Sequence, residues 1–145
     1  MEASRSKVYD YLVSLFMGLV NRNVYRITVP TANTQSDTKD GFIVLRVGDI
    51  TNESEFKHDA YGWVRCYVTA YVPKFGNGYL DTDIYENYES KINQRIDEEI
   101  ESPSSNDYYI IEDGILSMDD DVDMQKGNQY HTYTKSFIVI IDTQE

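Results

Sequence analysis

Apolar residues recur at helical spacing in two segments of the chain. The first predicts an amphipathic helix of about four turns, because its apolar side chains fall three and four positions apart: Val8, Tyr11, Leu12, Leu15, Phe16, Leu19 and Val20. The second opens with Asp81-Thr82-Asp83, whose acidic side chains complement the helix dipole, and ends before the turn-forming residues 102–106. Its predicted buried stripe is Ile84, Tyr85, Tyr88, Ile92, Ile96 and Ile100.

The clearest strand lies at residues 61–73, where two kinds of side chain alternate with a period of two. One set is large and amphipathic: Tyr61, Trp63, Arg65, Tyr67, Thr69 and Tyr71. The other set is small and mostly apolar: Gly62, Val64, Cys66, Val68, Ala70 and Val72. Further strands are predicted over residues 24–30, 42–50, 107–118 and 129–143, with polar connections at 31–41 and 51–60.

These elements predict a single α+β domain over residues 1–145, with both helices packed on one face of a mainly antiparallel sheet. The small, apolar set of the 61–73 strand is the face that a helix can approach closely. Residues 137–141 (FIVII) have no polar member, so this strand is predicted to be central and buried on both faces. No apolar run approaches the ~20 residues that cross a bilayer, and no membrane association is expected.

Charge is distributed unevenly between the two halves of the 145-residue chain, whose net charge is −12. Residues 1–75 hold 9 basic and 8 acidic side chains, whereas residues 76–145 hold 4 basic and 17 acidic ones. Such a field argues against tight non-specific binding of nucleic acid, which requires many cationic contacts with phosphate. The acidic half either keeps the protein in solution or forms a surface that repels an anion.

Two groups of acidic residues stand out in this half. Asp97, Glu98, Glu99 and Glu101 crowd the C-terminal end of the second helix, where they oppose its dipole, and no neighbouring residue explains them. The second group is Asp119, Asp120, Asp121 and Asp123, which with residues 126–128 predicts an acidic hairpin-like connection. Asp119, Asp121 and Asp123 match the first ligands of a calcium loop, but Met124 and Tyr130 replace its required glycine and glutamate.

The sequence predicts no catalytic residue, no cofactor and no metal site. The nucleophile-elbow, phosphate-loop, dinucleotide-binding and zinc-protease motifs are all missing from it. A small hydrolase that pairs Cys66 with His58 or His131 is the one enzymatic alternative, although no spacing supports it. The amphipathic set of the 61–73 strand is either a partly covered sheet face or a subunit interface, for which the candidate residues are Tyr61, Trp63, Arg65, Tyr67 and Tyr71.

The order of elements resembles that of the tail terminator (tail completion) proteins of bacteriophages. Three segments carry the resemblance: DAYGWVRCYVTAYVPK at 59–74, DTDIYENYESKINQRIDEE at 81–99 and QYHTYTKSFIVIIDT at 129–143. They are similar to the family's strand ending at a proline corner, to the acidic-started helix that follows it and to its terminal strand. The 31–41 loop and the 119–123 run match nothing in the family.

The resemblance implies a structural virion protein, assembled in the host cytoplasm, without catalytic residues. Such proteins form rings, typically hexamers, that cap the tail tube and contact neighbouring tail-tube or neck and connector proteins, and related folds form other neck rings. DNA would pass through as cargo without binding tightly, which favours an acidic lumen. The candidate lumen residues are Glu98, Glu99, Glu101, Asp119, Asp120, Asp121 and Asp123. The alternative function is a monomeric intracellular binding module whose aromatic sheet face holds a small ligand or peptide.

Overall fold

The computed structural model describes residues 4–17, 24–26, 41–53, 61–73, 82–112, 118–124 and 128–142, with the backbone alone at 24–26, 52–53, 61, 118–124 and 128–129. Its elements are, in chain order, α1 (Arg5–Phe16), β1 (Val24–Arg26), β2 (Phe42–Val47), β3 (Thr51–Glu53), β4 (Tyr61–Pro73), α2 (Thr82–Glu101), β5 (Tyr108–Glu112), β6 (Met118–Met124) and β7 (Asn128–Asp142). Of the predicted 31–41 loop, residues 31–40 lie outside the described chain and Gly41 directly precedes β2.

The seven strands form one sheet in the order β1-β2-β4-β7-β5, with β3 paired to β4 and β6 paired to β7. The β1–β2 pair is parallel and every other described pair is antiparallel. The longest ladder joins β4 to β7, from Tyr61 opposite Asp142 to Pro73 opposite Tyr130. The sheet is therefore mainly antiparallel, as predicted, and β4 and β7 form its centre.

Both helices pack on one face of this sheet, which we call the inner face. The small side chains of β4 (Val64, Cys66, Val68, Ala70 and Val72) join Leu12 and Phe16 of α1 and Tyr88, Ile92 and Ile96 of α2 in one buried cluster. Small residues on the strand allow the helices to approach closely, and burial of each large apolar side chain contributes roughly 1.5–3 kcal/mol. The α+β fold class predicted from the sequence is confirmed.

Specific hydrogen bonds fix α1 against the end of β2. The Ser4 hydroxyl accepts from the Lys7 amide at 3.2 Å and caps the helix N-terminus. At the end of β2, the Val47 amide donates to the Tyr9 hydroxyl at 2.9 Å, and the Arg5 guanidinium donates to the Val47 carbonyl at 2.6 Å. Since both polar backbone groups of Val47 bond to α1, the helix is positioned against this strand end.

Gly41, which precedes β2, has a backbone conformation that the fold requires. Its φ of +95° lies in the region that glycine tolerates best. A Cβ at this position would meet the Tyr71 carbonyl oxygen at 2.8 Å and the Tyr88 hydroxyl at 2.9 Å. The absence of a side chain therefore lets β2 enter the sheet beside β4 and under α2.

Three strand predictions need correction. The predicted 107–118 strand is described as two elements, β5 over Tyr108–Glu112 and the start of β6 at Met118, and residues 113–117 lie outside the described chain. The polar connection predicted at 51–60 begins with β3, which pairs with β4. The 137–141 segment is central, as predicted, but it is not buried on both faces, because Ile138 and Ile140 are only half-buried.

Candidate interaction surface

The face of the sheet opposite the helices, which we call the outer face, carries the amphipathic set of β4. Trp63, Arg65 and Tyr67 are half-buried there, whereas their neighbours Val64, Cys66 and Val68 are fully buried on the inner face. This separation follows from the two-residue period of a strand, which sends successive side chains to opposite faces. The predicted interface residues Trp63, Arg65 and Tyr67 thus lie together on one partly exposed surface.

Neighbouring strands extend this surface with apolar side chains. Two rows of paired residues cross β4, β7 and β5. In the first row Trp63 is opposite Ile140, which is opposite Tyr109. In the second row Arg65 is opposite Ile138, which is opposite Ile111. Residues directly opposite each other on paired strands share a face and contact one another. Tyr109 and Ile111 are each 39% exposed on the last strand of the sheet. Trp63, Tyr109, Ile111, Ile138 and Ile140 therefore form a continuous apolar area, the outer patch.

Tyr71 does not belong to this exposed surface, which corrects one predicted interface residue. It is 5% exposed and lies in a second buried cluster with Phe42, Val44 and Tyr130. The Tyr71 ring stacks on Phe42, which is directly opposite it, with centroids 4.7 Å apart. The outer side chains of β4, which form one uniform set in the sequence, are therefore buried at Tyr71 and half-buried at Trp63. Of Tyr61, only the backbone is described, and it pairs with both Glu53 and Asp142.

Hydroxyl groups occupy the middle of the outer face. Thr69 and Thr134, which are opposite each other on β4 and β7, are joined by a 3.0 Å hydrogen bond between their hydroxyls. One row away, Ser136 is 4% exposed, and among the described residues its Oγ is the buried side-chain atom without a hydrogen-bond partner. A buried polar group without a partner costs free energy. Ser136 lies opposite the half-buried Tyr67, so this polar strip adjoins the outer patch.

Glu99 is the clearest correction among the predicted lumen residues, because its side chain is fully buried. Its carboxylate accepts a 2.6 Å hydrogen bond from the Tyr11 hydroxyl and further bonds from the amide and hydroxyl of Ser104 at 2.8–3.2 Å. The Arg95 guanidinium lies 3.5 Å from it. An acid that seemed to have no local purpose therefore joins α1, the end of α2 and the residues that follow α2.

Burial in this network also changes the titration of Tyr11. Desolvation raises the pKa of the Tyr11 hydroxyl well above its ordinary value, and the hydrogen bond to Glu99 and the charge of that carboxylate raise it further. Tyr11 therefore remains a neutral donor to a buried carboxylate. This arrangement stabilises the fold and keeps Glu99 away from solvent.

Glu98 and Glu101, two of the predicted lumen residues, are exposed on the helical side of the domain. Glu98 lies 3.9 Å from Arg95 and accepts a 3.0 Å hydrogen bond from Gln94, one turn earlier on α2. Pairs at this spacing on an exposed helix stabilise it by only a few tenths of a kcal/mol. Ile100, predicted in the buried stripe, is instead 36% exposed between these acids.

The acidic run at 119–123 forms part of a strand, whereas the sequence predicted a hairpin-like connection there. Its backbone forms most of β6, in register with β7 from Met118 opposite Thr134 to Met124 opposite Asn128. Consecutive aspartates form strands poorly, so pairing with the long β7 overrides their local preference. The residues between these strands, 125–127, lie outside the described chain, and β6 is an extended strand rather than the loop that a calcium site of this type needs.

The structure separates Cys66 from the described histidine. Cys66 is fully buried on the inner face, where desolvation raises the pKa of its thiol to about 12. His131 pairs with Val72, six residues further along β4, so roughly 20 Å of strand separates the two. His131 instead packs against the Tyr85 ring, with centroids 5.1 Å apart. The Cys66–His131 pair is not formed, and His58 lies outside the described residues.

Sequence reasoning missed the contribution of β5 and β7 to the outer patch. Tyr109 and Ile111 alternate with Tyr108 and Ile110 in a short strand, and this alternation was the available signal. The sequence does not reveal the β5–β7 register, which places Tyr109 opposite Ile140 and Ile111 opposite Ile138.

No model of a known protein family matches the chain, and a search of curated proteins gave no match either. In the part of the chain that the structure describes, no helix is long and apolar enough to cross a membrane.

Proposed function

We propose that this chain is a structural virion protein that forms a ring at a bacteriophage head–tail junction or at the top of the tail. The observation that carries the proposal is the outer patch, where aromatic and aliphatic side chains of three adjacent strands lie partly exposed beside Arg65. The α+β architecture agrees with the fold that the tail terminator resemblance implies. In this role the ring caps the tail tube and contacts the neighbouring tail-tube or neck proteins.

Self-association gives the outer patch a physical purpose. Tyr, Trp and Arg are enriched at protein interfaces, where large side chains bury much area with little loss of conformational freedom. Tyr109 and Ile111 lie on a terminal strand of the sheet, and exposed apolar side chains on such a strand promote association with other chains. A neighbouring subunit that covers this area removes it from water.

Passage of DNA gives a purpose to the unequal charge. Duplex DNA carries one negative charge per roughly 1.7 Å of its axis, and cationic walls would retain it through release of counterions. Residues 76–145 contain 17 acidic and 4 basic side chains, so a lumen formed by this half would repel the duplex. We assign the DNA path to Glu98, Glu101 and the aspartates of β6, and we leave out Glu99 because its side chain is buried.

The mass of the full-length protein tests this function. Light scattering at micromolar concentration should give a multiple of 16.8 kDa, sixfold for a hexamer, and negative-stain microscopy should show rings with a central opening. Substitution of lysine for the four β6 aspartates should leave the mass of the ring unchanged. It should reduce the infectivity of phage particles that are assembled with the variant. A monomer at every accessible concentration would contradict the proposal.

A monomeric binding module is the second candidate, and Ser136 favours it. The Ser136 hydroxyl beside Tyr67 has no partner in the free chain, and movement of the side chains that cover it would let it bond to a ligand on this aromatic surface. In that case the protein remains monomeric, and a screen of small polar ligands by thermal shift should find one whose stabilising effect is lost in Ser136→Ala. The mass measurement separates the two functions.

A further inference from the structure

We draw no further inference here: the strongest candidate, the outer patch on the sheet face opposite the two helices, already supports the proposed function, and nothing in the structure shows what covers it.

Discussion

The Tyr11 hydroxyl donates a 2.6 Å hydrogen bond to the Glu99 carboxylate across 88 positions of sequence. The bond joins the two helices at the level of the sheet, because the Tyr11 ring also stacks on Tyr108 of β5 with centroids 5.2 Å apart. Glu99 in turn holds Ser104, in the connection between α2 and β5. One buried side-chain pair therefore fixes α1, α2 and an edge of the sheet relative to one another.

Tyr11→Phe should lower the free energy of unfolding by about 1.5–3 kcal/mol, because a buried carboxylate loses a neutral donor while the ring stacking on Tyr108 remains. Urea denaturation followed by circular dichroism measures the change. Tyr109→Phe, on an exposed position of β5, is the matched control and should have little effect on unfolding. Equal midpoints for the two variants would contradict the role of the buried bond.

Glu99→Leu should cost roughly 3 kcal/mol, since it leaves the Tyr11 hydroxyl and the polar groups of Ser104 without their acceptor. Glu98→Leu, at the adjacent exposed position, should change stability by less than about 0.5 kcal/mol. The comparison uses the same substitution on the same helix turn. Similar losses of stability in both variants would show that the buried hydrogen bonds of Glu99 do not stabilise the fold.

Val68→Asp should prevent stable folding, with a cost above about 4 kcal/mol, because it buries an unpaired charge beneath both helices. Tyr67→Asp, one position earlier but on the half-exposed outer face, should cost only about 1 kcal/mol. Chemical denaturation of both variants measures the difference. A well-folded Val68→Asp protein would mean that the two faces of β4 are assigned the wrong way round.

Gly41→Ala should lower stability by more than about 1 kcal/mol, because the added methyl group would meet the Tyr71 carbonyl at 2.8 Å in a backbone conformation with φ of +95°. Gly48→Ala is the comparison, since its Cβ would lie 3.0 Å from the Arg65 carbonyl without a positive φ. Its cost should be the smaller of the two in thermal unfolding. A larger loss of stability in Gly48→Ala than in Gly41→Ala would contradict the requirement for a positive φ at Gly41.

Burial raises the pKa of the Cys66 thiol from 9.0 to about 12. In the unfolded chain the thiol ionises as the pH rises past 9, whereas in the folded chain it stays protonated, so stability present below pH 9 is lost between pH 9 and about 12. Wild-type stability should fall faster with pH than that of Cys66→Ala, by up to roughly 1.4 kcal/mol per pH unit. Urea midpoints from pH 8 to 11 test this, and parallel curves would contradict it.

The sequence alone determined the features that depend on local periodicity. The bounds of β4 agree with the alternation at residues 61–73, and the inner set of Val64, Cys66 and Val68 is buried as its small size predicted. The end of α2 at Glu101 agrees with the turn-forming residues after it. These predictions succeed because successive side chains of a strand, or residues one helical turn apart, are placed by the backbone itself.

Only the tertiary structure decided what each surface residue faces. Glu99 and Glu98 are indistinguishable as neighbouring acids in the sequence, yet one is buried because Tyr11 and Ser104 surround it. The aspartates of β6 lie in a strand because β7 pairs with them, against their own preference. The outer patch exists because register aligns Trp63, Ile140 and Tyr109 across three strands. Each of these outcomes depends on contacts between distant segments, and local periodicity carries no information about such contacts.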